Sequence, residues 1–110
     1  MNVFVYGTLK KGFPNHYWME RAGGKFICEA VLNGARMFSC RYFPAIILTD
    51  GSVQGEIYTV ENIAPLDHLE GYPNLYKRTL VQTSNGEAWV YHMSPEEVKD
   101  LPEIPSGVWV

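Results

Sequence analysis

Two short stretches of the chain hold groups suited to proton transfer and anion binding. In Leu66-Asp67-His68-Leu69-Glu70-Gly71-Tyr72, Glu70 stands four residues after Leu66 and seven after Ile63. On a helix that spacing puts its carboxyl on nearly the same side as the apolar stripe. A carboxyl there is expected to lose part of its water, which raises its pKa. Gly71 is the kind of residue that stops a helix, so Glu70 falls in the last turn. There the carbonyl end of the helix dipole disfavours negative charge by roughly 0.3–1 kcal/mol. Both effects favour a group that takes up and returns a proton near neutral pH. The same spacing also fits an edge-of-core glutamate whose head reaches solvent. Asp67, three residues earlier on the adjacent face, could raise Glu70 further as a second carboxylate, but is read as facing water or making local backbone hydrogen bonds.

The second stretch is Tyr6-Gly7-Thr8-Leu9, which ends the apolar run Val3-Phe4-Val5. Without a Cβ, Gly7 lets a ligand approach the chain closely. Successive free N–H groups at a strand end form a concavity for a carboxylate or an oxyanion. An ordinary strand-to-loop turn would have the same residues. Gly7-Thr8-Leu9-Lys10-Lys11-Gly12 matches the first part of a phosphate-binding loop, but Phe13-Pro14 follows where Lys and Ser or Thr are needed. Nucleotide binding is therefore not expected. Cys28 and Cys40 form no CxxC pair, and His16, His68 and His92 are scattered. No metal site is expected. A hydrolase using either cysteine as nucleophile lacks a cue for the activating base.

The elements that must position these groups are short. Asn2–Tyr6 reads as a buried strand and Thr8–Asn15 as a loop, with Asn15 a candidate N-cap for a helix over His16–Arg21. Lys25–Met37 is apolar but alternates poorly, and its Asn33-Gly34 is a hairpin-turn signal. Ala45–Thr49 and Val53–Val60 are strands separated by a tight turn at Asp50-Gly51. A helix is predicted over Glu61–Glu70, then a hairpin of Tyr76–Thr83 and Glu87–Met93 around Ser84-Asn85-Gly86. Ser94-Pro95-Glu96-Glu97 is a helix-start pattern. The tail from Pro102 reads as a loop with Trp109 tucked against the body. One α+β domain over residues 1–110 is expected, built on a curled, mostly antiparallel sheet or small, mostly antiparallel β-barrel with two or three short helices.

Composition narrows the partners. The formal charge is −3 and Lys10-Lys11 is the only adjacent basic pair, so nucleic acid is not an expected partner. No apolar run approaches the roughly 20 residues of a membrane span. The first residues, Met1-Asn2-Val3-Phe4-Val5-Tyr6, lack a basic region before their apolar run, and a cytoplasmic location is expected. Seven Tyr, five Phe and three Trp supply amphipathic side chains for a small-molecule pocket. Monomer or weak dimer is left open.

Several blocks carry a family resemblance. Val5-Tyr6-Gly7-Thr8-Leu9-Lys10-Lys11-Gly12, Phe43-Pro44-Ala45, Val53-Gln54-Gly55-Glu56-Ile57-Tyr58, the Leu66–Tyr72 stretch with Tyr76-Lys77-Arg78, and Ala88-Trp89-Val90-Tyr91 fall in the order seen in the γ-glutamyl cyclotransferase-like (AIG2-like) family. The run Leu9–His16 is especially similar to its γ-glutamylamine cyclotransferase branch. The resemblance implies a mixed fold around a small barrel and conversion of a γ-glutamyl amine or amino acid to 5-oxoproline and free amine, with no cofactor. It implies that Glu70 is the acid/base residue, that Tyr6, Gly7, Thr8 and Leu9 bind the glutamyl portion, and that Tyr76 belongs to the pocket. Many relatives end in Gly-Asp-Trp, where this chain has Gly107-Val108-Trp109. A non-catalytic ligand-binding or interaction module on the same fold is the competing reading.

Overall fold

The computed structural model describes all residues, Met1–Val110. The first strand, β1 (Asn2–Val5), is buried on both faces, with Val3 and Phe4 wholly inaccessible. That explains its continuous apolar run: a central strand has no solvent face to alternate toward. Helix α1 (His16–Arg21) follows, then β2 (Lys25–Asn33), β3 (Arg36–Ser39), β4 (Pro44–Ile47) and β5 (Ser52–Thr59). Helix α2 (Ala64–Glu70) leads to the hairpin β6 (Lys77–Thr83) and β7 (Gly86–His92), then to α3 (Pro95–Val98) and the two-residue β8 (Glu103–Ile104).

Five strands form one sheet in the order β2-β5-β1-β7-β6, and three form another in the order β4-β3-β8. All pairings are antiparallel except β1 with β7, which meet at Val3 and Trp89. The architecture is α+β as expected, but the sheet does not close into a barrel. Closure takes about eight strands to enclose a filled interior, and here three of the eight are diverted into the second sheet. The open edges are joined by hydrogen bonds at the β6–β7 turn. There the Ser84 N–H donates to the Val31 carbonyl at 2.9 Å and the Val31 N–H donates to Ser84 Oγ at 2.9 Å.

Asn33-Gly34 does not make a hairpin. The strands on either side of it, β2 and β3, lie in different sheets, as do β4 and β5 around Asp50-Gly51. The two turns are paired corners of one long folded hairpin: β2 pairs with β5 as far as Asn33 and Ser52, and the ladder resumes beyond the corner with Arg36 opposite Ile47. The Gly34 N–H donates to the Gly51 carbonyl at 2.8 Å and holds the corners together. Both glycines have positive φ, +89° and +127°. This corner swings the β3–β4 tip over the end of β1. The poor alternation of β2 also has a local cause: the register shifts between Phe26 and Cys28, a bulge that leaves both Phe26 and Ile27 on the surface.

Odd and even residues of β1 serve two cores. Val3 and Val5 pack with Met19, Ala22, Leu66 and Val98 from the three helices. Phe4 and Tyr6 pack with Leu32, Met37, Ile46, Ile57 and Val90 beneath the second sheet. Helix α2 begins later than periodicity predicts, at Ala64 and not Glu61. Pro65 sets that limit, because a proline is tolerated only in the first helical turn. The Asn62 side chain accepts from the Ala64 N–H at 3.1 Å, and Gly71 ends the helix in the left-handed conformation, as expected. Ser94 and Glu97 form a reciprocal capping box at α3. Asn15 occupies the N-cap position of α1 as expected, but its side chain makes no capping hydrogen bond. The tail is more than a loop, since β8 pairs with β3. Trp109 packs against the second core as expected.

The corner yields a stability comparison. A Cβ on Gly51 would lie 2.5 Å from the Ala35 carbonyl oxygen, whereas one on Gly86, also at positive φ, would meet nothing within 4 Å. Gly51→Ala is expected to cost about 1–3 kcal/mol and to lower the chemical-denaturation midpoint more than Gly86→Ala. Equal midpoints would show that the corner is not a constraint.

Candidate active site

The C-terminal end of β1, the tip of the β3–β4 hairpin, the end of α2 and the start of β6 converge on a cavity of about 480 Å³. Tyr6, Gly7, Thr8, Leu9, Glu70 and Tyr76 all line it, so every candidate residue from the two motifs is brought together. Residues not singled out from the sequence complete the wall: Phe4, Val5, Pro14, Asn15, Tyr42, Phe43, Pro44, Leu69, Leu75 and Tyr91. Tyr91 is buried although it shares a strand face with the exposed Glu87 and the half-buried Trp89, so alternation along β7 gives no sign that it lines a pocket.

The loop after β1 is tied down through its carbonyl groups. Gly7 O accepts from the Lys10 N–H at 3.0 Å and Thr8 O from the Asn15 N–H at 3.0 Å. Leu9 O lies 2.9 Å from His16 Nδ1, which places the ring proton on that nitrogen. Thr8 Oγ1 accepts from Asn15 Nδ2 at 2.9 Å, so Asn15 braces the loop. The N–H groups of the same three residues, Gly7, Thr8 and Leu9, donate to no protein acceptor. An unpaired run of backbone donors at a cavity wall attracts an anion. Gly7 has a packing reason as well as a binding one. A Cβ there would sit 2.5 Å from Cγ of Pro44, so the hairpin tip occupies the space that a side chain would take.

Glu70 is the last residue of α2, partly buried, and its carboxyl makes neither a hydrogen bond nor an ion pair. Removal from water pushes its pKa from an ordinary 4.5 up to about 7. Three phenols stand near it. Tyr6 OH donates to the Tyr91 carbonyl and Tyr76 OH to the Pro44 carbonyl, each at 2.7 Å. Tyr91 OH donates to Asp67 Oδ1 at 2.7 Å. Each phenol has thus spent its one proton on the protein and retains only acceptor lone pairs. Burial raises the pKa of all three, and the Glu70 charge adds to the rise. They stay neutral at any physiological pH.

Asp67 departs from its expected role. It does not simply face water: it pairs with Arg78, with Nε to Oδ1 at 2.9 Å and Nη2 to Oδ2 at 3.3 Å. Arg78 also lies over the rings of Tyr72 and Trp89 at 4.5 and 4.8 Å. The guanidinium neutralises Asp67, which in turn orients Tyr91. Glu70, three residues on, receives no such partner. One carboxylate is therefore paired and the other is left without a counter-charge. Cys40 is partly buried with its thiol pKa raised by loss of water, the wrong direction for a nucleophile.

The family model described as Gamma-glutamyl cyclotransferase, AIG2-like matches residues 3–110. The chain belongs to this family. It is 33% identical over 112 residues to the Gamma-glutamylcyclotransferase family protein YtfP of Escherichia coli K12, an alignment covering 100% of this chain and 96% of that one. It is 38% identical to Gamma-glutamylaminecyclotransferase A of Danio rerio, over 86% of this chain and 70% of that one. The solution NMR structure of E. coli YtfP superposes with a TM-score of 0.75, covering 100% of this chain and 96% of that one. Family membership supports γ-glutamyl cyclotransferase-type activity. No helix is long and apolar enough to cross a membrane.

The raised pKa of Glu70 has a consequence for stability. Below about pH 4.5 the carboxyl is neutral in both folded and unfolded chains. Between pH 4.5 and about 7 the unfolded chain releases a proton that the folded chain retains, so stability falls as pH rises and then levels off. Glu70→Gln removes this penalty. The variant is expected to exceed the parent by about 2–3 kcal/mol in unfolding free energy at pH 8 and to match it at pH 4.5. A gain that does not vary with pH would show that Glu70 is not a desolvated acid.

Proposed function

We propose that this protein converts a γ-glutamyl amine or γ-glutamyl amino acid to 5-oxoproline and free amine, with Glu70 as the acid/base group. The observation that carries the reading is the unpartnered, partly buried carboxyl of Glu70 in the same cavity as three free backbone N–H groups. A γ-glutamyl unit bears an α-carboxylate and an α-ammonium. The free N–H groups of Gly7, Thr8 and Leu9 suit the first and the developing oxyanion; Glu70 and the acceptor-only phenols of Tyr6, Tyr76 and Tyr91 suit the second.

The proton inventory fits one carboxylate acting repeatedly. Glu70 takes a proton from the α-ammonium, which frees the nitrogen lone pair to attack the γ-carbonyl carbon. A five-membered ring closes and the carbonyl oxygen becomes negative, facing backbone donors. Glu70 returns its proton to the leaving nitrogen. The bond from that nitrogen to the γ-carbon breaks as the carbonyl re-forms. The ring nitrogen gives up its second proton by the same route, and the amine departs as an ammonium. Two protons have moved from one nitrogen to the other, with no net change on Glu70. Both reacting groups belong to one molecule, so a cavity that bends the chain back on itself supplies much of the acceleration.

Incubation with a panel of γ-glutamyl compounds, assayed for 5-oxoproline, tests this. Glu70→Gln is expected to lower kcat/KM by about 10²–10⁴-fold. For the unsubstituted protein, kcat/KM is expected to rise about tenfold per pH unit below pH 7 and flatten above it, because the ionised carboxylate is the base. Equal product from parent and Gln variant would remove Glu70 from the reaction. Absence of product from every compound would favour a binding module on this fold.

A further inference from the structure

Asn15 stands at the N-cap of α1, where an asparagine ordinarily accepts a hydrogen bond from the first helical turn. It does not do so here. Its backbone lies at φ −97° and ψ 9°, outside the extended region of a capping residue, and its side chain turns back to the loop after β1. There it grips Thr8 twice: the Asn15 N–H donates to the Thr8 carbonyl at 3.0 Å, and Nδ2 donates to Thr8 Oγ1 at 2.9 Å. Resting on the reading that the cavity takes a γ-glutamyl unit, we propose that Asn15 is a positioning residue: by donating to Thr8 Oγ1 it leaves the hydroxyl proton of Thr8 for the substrate's α-carboxylate, beside the three backbone N–H groups.

Both contacts aim donors. The Thr8 carbonyl and the Leu9 N–H belong to one planar trans peptide and point opposite ways, so holding the first on Asn15 sets the direction of the second. A hydroxyl has one proton and two lone pairs. Asn15 Nδ2 occupies a lone pair of Thr8, and the Thr8 proton donates to no protein acceptor. The other hydroxyls at the wall differ. Tyr6, Tyr76 and Tyr91 have committed their protons to the protein, and Tyr42 is 76% exposed to water. No Lys, Arg or His is among the lining residues, which puts the weight of holding a carboxylate on neutral donors such as Thr8. A carboxylate in place of the Asn15 amide would reverse the bond. Thr8 would then donate to residue 15 and have no proton left for the ligand.

Three substitutions separate this role from helix capping. Asn15→Asp keeps the N-cap preference and places an acid at a helix start, so its unfolding midpoint is expected to equal or exceed the parent's. Two constants are read for each protein: KM on the γ-glutamyl compound the parent turns over fastest, and Kd for 5-oxoproline, which retains the α-carboxylate. Asn15→Asp and Thr8→Val are each expected to raise both by about tenfold or more. The carboxylate is held alike in ground and transition states, so kcat is expected to stay within about twofold. Asn15→Ala, which keeps the backbone N–H, is expected to raise both constants about three- to fivefold in the parent and less than about twofold in Thr8→Val. An Asn15→Asp protein that binds like the parent overturns the proposal. So does an Asn15→Ala effect that persists in full in Thr8→Val, or a rise in KM matched by a fall in unfolding midpoint. The cyclotransferase reading survives each of these while the parent releases 5-oxoproline. If 5-oxoproline is bound but never produced, the cyclotransferase reading falls and the Kd series decides the role of Asn15. Neither binding nor release overturns both readings.

Discussion

A carboxyl held partly out of water with no counter-charge is the constraint around which this molecule is organised. Ionising such a group costs free energy that an ion pair would offset. The fold offers a guanidinium, but gives it to Asp67, three residues before Glu70 on α2. The two acids thus diverge although they share one helix. Asp67 is held in an ion pair with Arg78, and Glu70, without a partner, has its pKa raised to about 7 by burial. Environment, not residue type, separates their roles.

The surroundings of Glu70 keep that state from being relieved. The phenols of Tyr6, Tyr76 and Tyr91 would be the nearest donors to a carboxylate, yet each directs its proton elsewhere in the protein. The loop at Gly7–Leu9 follows the same logic with opposite polarity. Its carbonyls are bonded and its N–H groups are not. A pocket results in which acceptors and donors are segregated before any ligand arrives. Such preorganisation is what electrostatic stabilisation of a transient oxyanion requires, since no dipoles need to turn at the moment of reaction.

Two glycine-bearing corners make the pocket possible. If β2 and β5 ran straight on, the β3–β4 tip would project away from β1. The bend at Gly34 and Gly51 carries Tyr42, Phe43 and Pro44 over the strand end, where the Pro44 ring fills the space beside Gly7 and its carbonyl receives the Tyr76 phenol. Diverting three strands in this way leaves five in the main sheet, which stays open with a small second sheet beside it. The sheet's open edges and the cavity have one origin.

Local signals in the chain were enough to fix the elements whose cause is local. The buried run of β1, the capping box at Ser94, the Gly71 stop and the placement of Glu70 beside the apolar stripe of α2 all depend on neighbours within a turn or two, and all are legible in residue order. The motif blocks likewise carried the family. What residue order could not supply is every relation between distant segments. Arg78 reaches Asp67 across eleven residues, Tyr91 reaches the same Asp67 across twenty-four, and Tyr76 meets Pro44 across thirty-two. Asn33-Gly34 has the same local preference whether its flanking strands pair with each other or part into two sheets. Propensity and periodicity describe a residue's own backbone and its nearest turns; which acid gains a counter-ion, and which is left alone in a cavity, is decided by the packing of segments that share no local pattern.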